Sequence, residues 1–423
     1  MIPERFKLVF MSFLAIFICY IDRVNISVAI IPMQQQFGWS ETQVGIVFSS
    51  FYFGYMFTMI LGGYLADKYG GKYVLGFGVL AWSLFTFLTP IFAYQGFFAI
   101  FLIRVLLGLG EGVAFPSIHS LYARWIPFTE RTRVIAITNS GISAGTVFGF
   151  ALTTIIITMY SWELVFYLFG LLGIIWSFFW FKGFSSMPSE NKKISDYELS
   201  KILNEAPSSE NAKKVPFKNL ISNLPFLAIT VATFCNNWVL FTFISYMPKY
   251  VNSDISIGGL GLSLESDTFL ILIILPAVIG VISLLIGGFI VDTLIKQGLK
   301  VIVARKLFNS IGFFGAGVLI YLIPYQTSVE ITLILLCLIN FCIGMAAGGF
   351  GVNHADIGPN YTGNLFGIAG SIGMIAAVFS PLAAGFILDN TNSWFLIFNI
   401  STIVLFFGGL FYLFFSSANK QFD

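Results

Sequence analysis

Long apolar runs alternate with short polar segments along the whole chain. A helix needs about 20 apolar residues to cross the hydrocarbon core of a bilayer. Twelve runs reach roughly this length, so the pattern predicts an all-α membrane protein with twelve transmembrane helices. The predicted spans are residues 8–32, 43–66, 73–92, 96–122, 133–158, 162–181, 223–248, 267–291, 305–323, 330–351, 362–387 and 394–416.

One long polar stretch interrupts the pattern between the sixth and seventh spans. It is rich in Lys, Ser and Asn, which is typical of a solvated linker. The segment SDYELSKILNE within it predicts one short amphipathic helix. The predicted organisation is therefore an N-terminal six-helix bundle at 1–182, a cytoplasmic linker at 183–222 and a C-terminal six-helix bundle at 223–423.

Composition agrees with the apolar pattern and excludes a soluble protein. The chain is 57% hydrophobic and only 10% charged, whereas a soluble domain carries roughly 25% charged residues. The net charge of +2 is too small to indicate a nucleic-acid-binding protein. What carries information is the position of each charge along the chain.

The basic residues are strongly biased to one side of the predicted membrane. Of 22 Lys and Arg residues, 19 fall on the side of the N-terminus, and only Lys249 falls on the other side. The remaining two, Arg23 and Arg104, lie within spans. Because basic loops stay on the cytoplasmic side, we predict that both termini and the linker are cytoplasmic.

A short motif recurs at corresponding places in the two halves. GGYLADKYGGK follows the second span, and GGFIVDTLIKQGLK follows the eighth. Two six-helix repeats with a binding site between them are a known plan for transporters. Gly63 is predicted to permit close helix contact, Gly70 a tight turn, and Asp67 a contact with a helix N-terminus. The predicted conformational-switch motif comprises Gly63, Asp67, Lys68, Gly70 and Lys72.

The first span carries two adjacent charges, Asp22 and Arg23. A charged residue at the centre of a membrane helix costs about 2.5–3.5 kcal/mol on insertion scales. Neighbours on a helix point roughly 100° apart, so these two face different partners. A structural ion pair with another helix is one explanation. The alternative that we favour is that Arg23 faces a central cavity and binds an anion through its planar guanidinium.

The fourth span carries Arg104 and Glu111, seven residues apart and therefore on one helix face. At 1.5 Å per residue they are about 10.5 Å apart along the axis, too far for a simple ion pair within the helix. Each needs a partner on another helix, a substrate or a proton. A structural carboxylate bonded to a nearby hydroxyl is the alternative for Glu111.

Other chemistry is sparse in the sequence. Cys19, Cys235, Cys337 and Cys342 lie in apolar runs without a CxxC pair, which favours buried packing residues over a disulfide framework or a metal site. His119 and His354 are interpreted as hydrogen-bonded residues rather than proton carriers. We find no nucleophile set, metal cluster or phosphate-binding loop, and therefore expect neither an enzyme nor a cofactor other than a coupling ion.

Several motifs resemble the major facilitator superfamily. GGYLADKYGGK, RVLLGLGEG and PFTERTR match its loop and fourth-span patterns. LGEGVAFPSIHSLYARW, YIDRVNISVA and GGFGVNHADIGPNYTG resemble its anion:cation symporter branch, which contains sialin, vesicular glutamate transporters, sodium-phosphate cotransporters and bacterial sugar-acid symporters. The resemblance covers both halves and implies the major facilitator fold.

The resemblance also implies roles for individual residues. In this branch the arginine matching Arg23 serves substrate recognition or transport, and the carboxylates matching Asp22 and Glu111 serve proton coupling. Asn236 and Phe48 stand where vesicular glutamate transporters carry arginine and histidine, which argues against glutamate transport by their mechanism. We predict a substrate site formed by Arg23, Arg104, Asn236 and Tyr52, and proton coupling by Glu111 and Asp22.

The predicted function is proton-coupled symport of a small organic anion, such as a sugar acid, by alternating access. The alternatives are a sodium-coupled phosphate or anion cotransporter and, in another class, a non-transporting membrane receptor. Expected partners are a small anionic substrate and the lipid bilayer, with H⁺ or Na⁺ as coupling ion, no nucleic acid and a monomeric state.

A bacterial cytoplasmic membrane is the predicted location. The loop after the first span, MQQQFGWSETQ, is short and has no Asn-x-Ser/Thr site for glycosylation. We also see no organellar transit sequence.

Overall fold

The computed structural model describes residues 3–204 and 220–422, with the side chain of residue 60 left out. Within these residues the regular structure is helical and contains no β-strand. In the N-terminal half the helices are α1 Glu4–Phe37, α2 Glu41–Tyr69, α3 Gly71–Tyr94, α4 Phe97–Glu111, α5 Ala114–Trp125, α6 Arg131–Met159, α7 Trp162–Gly183 and α8 Asp196–Asn204.

The C-terminal half continues the numbering. Its helices are α9 Leu224–Asn252, α10 Asp267–Lys296, α11 Val301–Ser310, α12 Ala316–Leu322, α13 Val329–Ala346, α14 Asn353–Ile357, α15 Thr362–Thr391 and α16 Trp394–Phe415. Short π-helical turns join α11 to α12 and α13 to α14.

The predicted all-α membrane fold is confirmed. In the described part of the chain, eleven helical stretches are long and apolar enough to cross a membrane. The bent pair Glu41–Met59 and Leu61–Tyr69 makes a twelfth if it is one span. The fourth span, Phe97–Trp125, combines α4 and α5.

The chain forms two compact units. The first comprises Met1–Phe37 and Ser50–Ala212, and the second comprises Gly38–Ser49 and Lys213–Asp423. The start of α2 therefore belongs to the second unit. The bundle limits expected from the sequence, 1–182 and 223–423 with a linker at 183–222, remain a prediction.

In the first unit, glycines hold α1 against α6. A Cβ atom built on Gly141 would lie 2.8 Å from the carbonyl oxygen of Phe13, and one on Gly145 would lie 2.5 Å from that of Phe17. These distances are too short for a larger side chain, so the two backbones touch. This close contact fixes the height and rotation of α1, the helix that carries Asp22 and Arg23.

A second set of glycines holds α4 against α2. A Cβ atom on Gly108 would lie 2.8 Å from the backbone nitrogen of Tyr55, and one on Gly112 would lie 2.5 Å from its carbonyl oxygen. This packing brings Arg104 and Glu111 beside the aromatic residues of α2.

The fourth span is interrupted where the sequence predicted a continuous helix. α4 ends at Glu111, and α5 begins at Ala114. Pro116 has no backbone N–H, so the carbonyl of Gly112 loses its helical donor. The interruption leaves Glu111 at the end of a helix.

The predicted amphipathic helix in the linker is present as α8, but it is not fully solvated. The carboxylate of Glu198, 5% exposed, accepts hydrogen bonds from the backbone nitrogens of Glu4 and Arg5, both at 3.0 Å. Arg5 also bonds to Glu130, at 2.9 Å. α8 thus caps the first turn of α1, while linker residues 205–219 lie outside the described residues.

In the second unit, the start of α2 packs on α9 and α15. Lys249, the basic residue expected on the less positive side, pairs with Glu41 at 2.7 Å. Tyr246 donates to the carbonyl of Pro381 at 3.2 Å. In the same unit, Arg305 pairs with Asp356 at 2.8 Å.

Candidate functional site

Arg23 and Glu111 form a buried ion pair in the first unit. Their side chains are 4% and 0% exposed. The Nε of Arg23 donates to Oε1 of Glu111 at 2.9 Å, and Nη2 donates to the same oxygen. The pair thus joins Arg23, which is predicted to bind the substrate, to Glu111, which is predicted to carry the proton.

Aromatic rings surround the guanidinium of Arg23. Its Cζ atom lies 4.4 Å from the ring centroid of Tyr20, 4.9 Å from that of Tyr55 and 5.4 Å from that of Phe51. Cation–π contacts of this kind offset part of the cost of removing a cation from water.

Arg104 is the second buried cation of this region. It is 1% exposed, and its Cζ lies 5.1 Å from the centroid of the same Phe51 ring. Its Nε and Nη1 have no hydrogen-bond partner among the described residues. Buried donors without acceptors are costly, so an anion placed here would meet the unused N–H donors of two nitrogen atoms.

Asp22 is fully buried on α1. Trp82 and Thr86 on α3 lie beside its carboxyl group. Nevertheless, in the described part of the structure neither carboxyl oxygen has a donor at hydrogen-bond geometry. A buried carboxyl group without donors is costly, so Asp22 has unsatisfied acceptors in this arrangement. Asp22, Arg23, Arg104 and Glu111 together are named the buried charge cluster.

The remaining predicted substrate residues lie in different places. Tyr52 is 3% exposed, and its ring centroid is 5.0 Å from that of Phe51. It thus belongs to the wall of the buried charge cluster. Asn236 lies half-buried on α9 in the second unit, and its part in a substrate site remains a prediction.

The switch motif differs in two details from the expectation. Gly63 makes no close contact, because a Cβ atom there would meet nothing within 4 Å. The neighbouring Gly62 makes it instead, at 3.0 Å from the Cα of Val113. Adjacent residues point about 100° apart on a helix, so only one of the two glycines faces the fourth span.

Asp67 also has other partners than the expected helix N-terminus. It accepts a hydrogen bond from Ser120 at 2.8 Å and lies 3.9 Å from a guanidinium nitrogen of Arg124, both in the C-terminal half of α5. Gly70 has φ of +89°, which suits the predicted tight turn. Lys68 and Lys72 lie over neighbouring tyrosine rings, at 5.2 Å from Tyr69 and 5.2 Å from Tyr73.

Four residues of the site were not predicted from the sequence. Tyr20, Phe51 and Tyr55 surround Arg23, and Cys19 donates to Oε1 of Glu111 at 3.0 Å. The available signal was spacing, because Cys19 and Arg23, like Phe51 and Tyr55, are four residues apart and share a helix face. The apolar run around Cys19 instead predicts a buried packing residue.

Comparison with known proteins shows the family of the chain. The model of the Major Facilitator Superfamily matches residues 12–381. The chain is 36% identical over its full length to the chloroplastic ascorbate transporter of Arabidopsis thaliana, covering 76% of that protein. It is 35% identical over its full length to the chloroplastic sodium-dependent phosphate transport protein 1 of the same plant, covering 81% of it.

Solved structures agree on the fold. A bacterial homologue of the human lysosomal transporter Spinster, inward-facing and unoccupied, has a TM-score of 0.77 at 16% identity, with 98% of this chain and 97% of that chain covered. A D-xylose–proton symporter has a TM-score of 0.72 at 16% identity, with 98% and 99% covered. At this identity the likeness concerns the fold.

The relatives correct one prediction. A bacterial cytoplasmic membrane was expected, but these relatives are chloroplastic proteins of plants, so that prediction is wrong. The prediction rested mainly on the short loop after the first span and its lack of a glycosylation site, and a loop of this kind does not distinguish a bacterial membrane from an organellar one.

The family match and the relatives together establish what the chain is. The fold and the relatives are those of transporters, which are not enzymes. The match spans most of the chain, and the curated relatives are anion and phosphate transporters. The chain belongs to the major facilitator superfamily and resembles its anion:cation symporter branch.

Proposed function

We propose that this transporter carries a small organic anion together with a proton, by alternating access. The observation that carries the proposal is the Arg23–Glu111 pair. An arginine that binds a substrate anion must first be released from its own carboxylate. Protonation of that carboxylate is the simplest release, because it removes the negative charge that holds the guanidinium.

In the proposed exchange, the positive charge that the site gains with the proton is balanced by the substrate anion. A proton binds to Glu111, and the neutral acid holds Arg23 less strongly than the carboxylate did. The substrate anion then binds the guanidinium of Arg23 through a bidentate contact. On the other side of the membrane the anion leaves, Glu111 loses its proton, and the ion pair forms again.

Arg104 and Asp22 extend the same scheme. Two donors of Arg104 lack partners among the described residues, so Arg104 is our second anion-binding group. Asp22 is our second proton carrier, because it is buried without a donor to its carboxyl oxygens. Tyr52, on the wall of the cluster, completes the substrate set that we propose in the first unit, and a role for Asn236 remains a prediction.

The relatives guide the choice of substrate. One relative is named for ascorbate, which is an organic anion of sugar-acid type. We therefore propose ascorbate and sugar acids as the first substrates to test. The chloroplastic relatives support a plastid membrane as the location, to be tested by detecting the endogenous protein in fractionated membranes.

Sodium-coupled phosphate transport is the second candidate. It is favoured by the relative that is named for sodium-dependent phosphate transport. Phosphate also suits two buried guanidiniums, because Arg binds phosphate oxygens in the same bidentate way as carboxylates. The two candidates differ in coupling ion as well as in substrate.

One experiment separates these candidates. Purified protein in liposomes is given labelled ascorbate, galactonate or inorganic phosphate, with either a pH gradient or a sodium gradient. Accumulation of an organic anion driven by pH alone supports the first proposal. Phosphate accumulation that requires sodium supports the second. If none of the three compounds accumulates with either gradient, both proposals are contradicted, and a non-transporting receptor becomes the better account.

A further inference from the structure

Cys19 is the third group bonded to the buried ion pair. Its Sγ lies 3.0 Å from Oε1 of Glu111 and 3.8 Å from Nη2 of Arg23. The residue is completely buried. It lies one helical turn before Arg23, so thiol and guanidinium leave α1 on the same face. This places two donors from one helix on one carboxylate oxygen.

The other oxygen of Glu111 has a different environment. Oε2 has no hydrogen-bond partner within the described residues. If Arg23 turns to a substrate anion, the thiol is therefore the donor that remains on Glu111 in this arrangement. The thiol is a weak donor, but a donor to a buried carboxylate matters more than one in water.

We propose that Cys19 is a positioning residue for the proton carrier. Its thiol donates to Oε1 of Glu111, and this contact holds the carboxyl group in position and stabilises the carboxylate relative to the neutral acid. The inference rests on the proposed role of Glu111 in proton coupling. It predicts that Cys19 adjusts the pH range in which the transporter works, without binding the substrate itself.

Other ionisable groups share this environment. Those that interact with Glu111 are Cys19, Tyr20, Asp22 and Arg23 on α1, Tyr55 on α2 and Arg104 on α4. Replacing Cys19 leaves all the others in place. A change in the pH profile after this replacement therefore reports the thiol contact.

The test compares Cys19→Ala, Cys19→Ser and the control Cys235→Ala. Cys235 is also buried but packs beside Gly408 in the second unit. Exchange of labelled ascorbate, and in a separate arm of labelled inorganic phosphate, is measured in liposomes with equal pH on both sides. Under the proposed proton coupling, exchange is expected to fall as the proton concentration falls, because Arg23 is then retained by Glu111.

Without the thiol, the ionised form loses a donor. The midpoint of this fall should therefore move to higher pH in Cys19→Ala, by about half a pH unit. Cys19→Ser, which restores a hydroxyl donor, should stay near wild type, as should Cys235→Ala. An unchanged midpoint in a folded Cys19→Ala protein would overturn the proposal, and so would an equal shift in Cys235→Ala.

A second readout does not depend on transport. The infrared S–H stretching band of Cys19, identified by its loss in Cys19→Ser, should shift in Glu111→Gln because the acceptor changes from carboxylate to amide. If wild-type exchange shows no pH dependence, the proposed proton coupling fails, and this band alone decides whether the contact exists. A band unmoved by Glu111→Gln would refute the Cys19 proposal, even if Cys19→Ala does not fold.

Discussion

Glu111 accepts all its hydrogen bonds from Arg23 on one oxygen, Oε1, and leaves Oε2 without a partner in the described structure. A fork-to-fork pair would engage both oxygens. The one-sided arrangement has a chemical consequence, because a proton can bind Oε2 before any existing bond breaks. In the proposed exchange, release of Arg23 would then follow protonation, and the two events would not need to coincide.

Arg23 should be essential for anion binding. Arg23→Lys keeps the positive charge but loses the planar fork and the fit among three aromatic rings. We expect at least a tenfold loss of substrate affinity in Arg23→Lys, corresponding to about 1.4 kcal/mol, and near-complete loss in Arg23→Ala. The measurement is binding of labelled substrate to purified protein, with folding checked by thermal unfolding.

Arg131→Lys is the matched control for this substitution. Its guanidinium donates to the backbone carbonyls of Ile126 and Ala123 and lies 5.9 Å from the ring centroid of Phe128, so it does not contact the buried charge cluster. Binding should remain close to wild type in this variant. Wild-type affinity in a folded Arg23→Ala protein would show that Arg23 does not bind the substrate.

Glu111→Gln should separate coupling from exchange. The amide has the size of the acid but neither gains nor loses a proton. Uptake driven by a pH gradient should therefore be lost, whereas substrate exchange, which requires no net proton release, should persist at least in part. Both are measured in the same liposomes.

Glu163→Gln serves as the control for loss of a carboxylate. Glu163 accepts a hydrogen bond from Tyr94 at 2.6 Å in an exposed position, away from the buried charge cluster. The Glu163→Gln variant should retain uptake driven by a pH gradient. Accumulation of substrate by Glu111→Gln with a pH gradient alone would rule out Glu111 as the essential proton carrier and would favour Asp22 or sodium.

Gly145→Ala should destabilise the first unit. The added Cβ would lie 2.5 Å from the carbonyl oxygen of Phe17, so α1 and α6 must move apart. Overpacking of this kind costs about 1–3 kcal/mol, and we expect a lower unfolding temperature together with weaker anion binding. Gly367→Ala on α15 is the control, because nothing lies within 4 Å of its Cβ position. Equal stability of the two variants would contradict the close packing of α1 on α6.

Glu198→Gln should loosen the first turn of α1. The carboxylate accepts from two backbone nitrogens and, at 3.1 Å, from Arg5. An amide has one acceptor oxygen instead of two, so at least one of these buried donors loses its partner, at a cost of about 1–3 kcal/mol. Thermal unfolding and proteolysis near the N-terminus measure the effect. Asp196→Asn, an exposed acid on the same helix, should change both far less.

The sequence predicted the residues of the buried charge cluster but not their pairing. Helix periodicity alone placed Asp22 and Arg23 on different faces, and Arg104 and Glu111 on one face. Which helix meets which depends on tertiary packing, here on the glycine contacts of α1 with α6 and of α2 with α4. Periodicity within one helix contains no information about those contacts.

The remaining differences also have physical causes. Cys19 resembled a packing residue because a buried thiol usually is one, and only the position of Glu111 gives it an acceptor. Gly62 and Gly63 are equivalent in sequence, and a rotation of one residue decides which of them touches the fourth span. Pro116 was a visible signal for the interruption after Glu111, although the apolar run continues through it.

The repeated Gly-Gly motif has the same asymmetry in each half. In the first unit Gly62 is packed and Gly63 is open. In the second unit a Cβ atom built on Gly287 would lie 3.0 Å from the sulfur of Met345, whereas one on Gly288 would meet nothing within 4 Å. Gly70 and Gly298 both have positive φ. In both the second and the eighth span, the helix is thus rotated so that the first glycine of the pair faces a neighbouring helix of its own unit. This shared rotation is called the rotational phase. An ancestral gene duplication would preserve this phase, and under selection the first glycine of each pair would resist substitution while the second drifts.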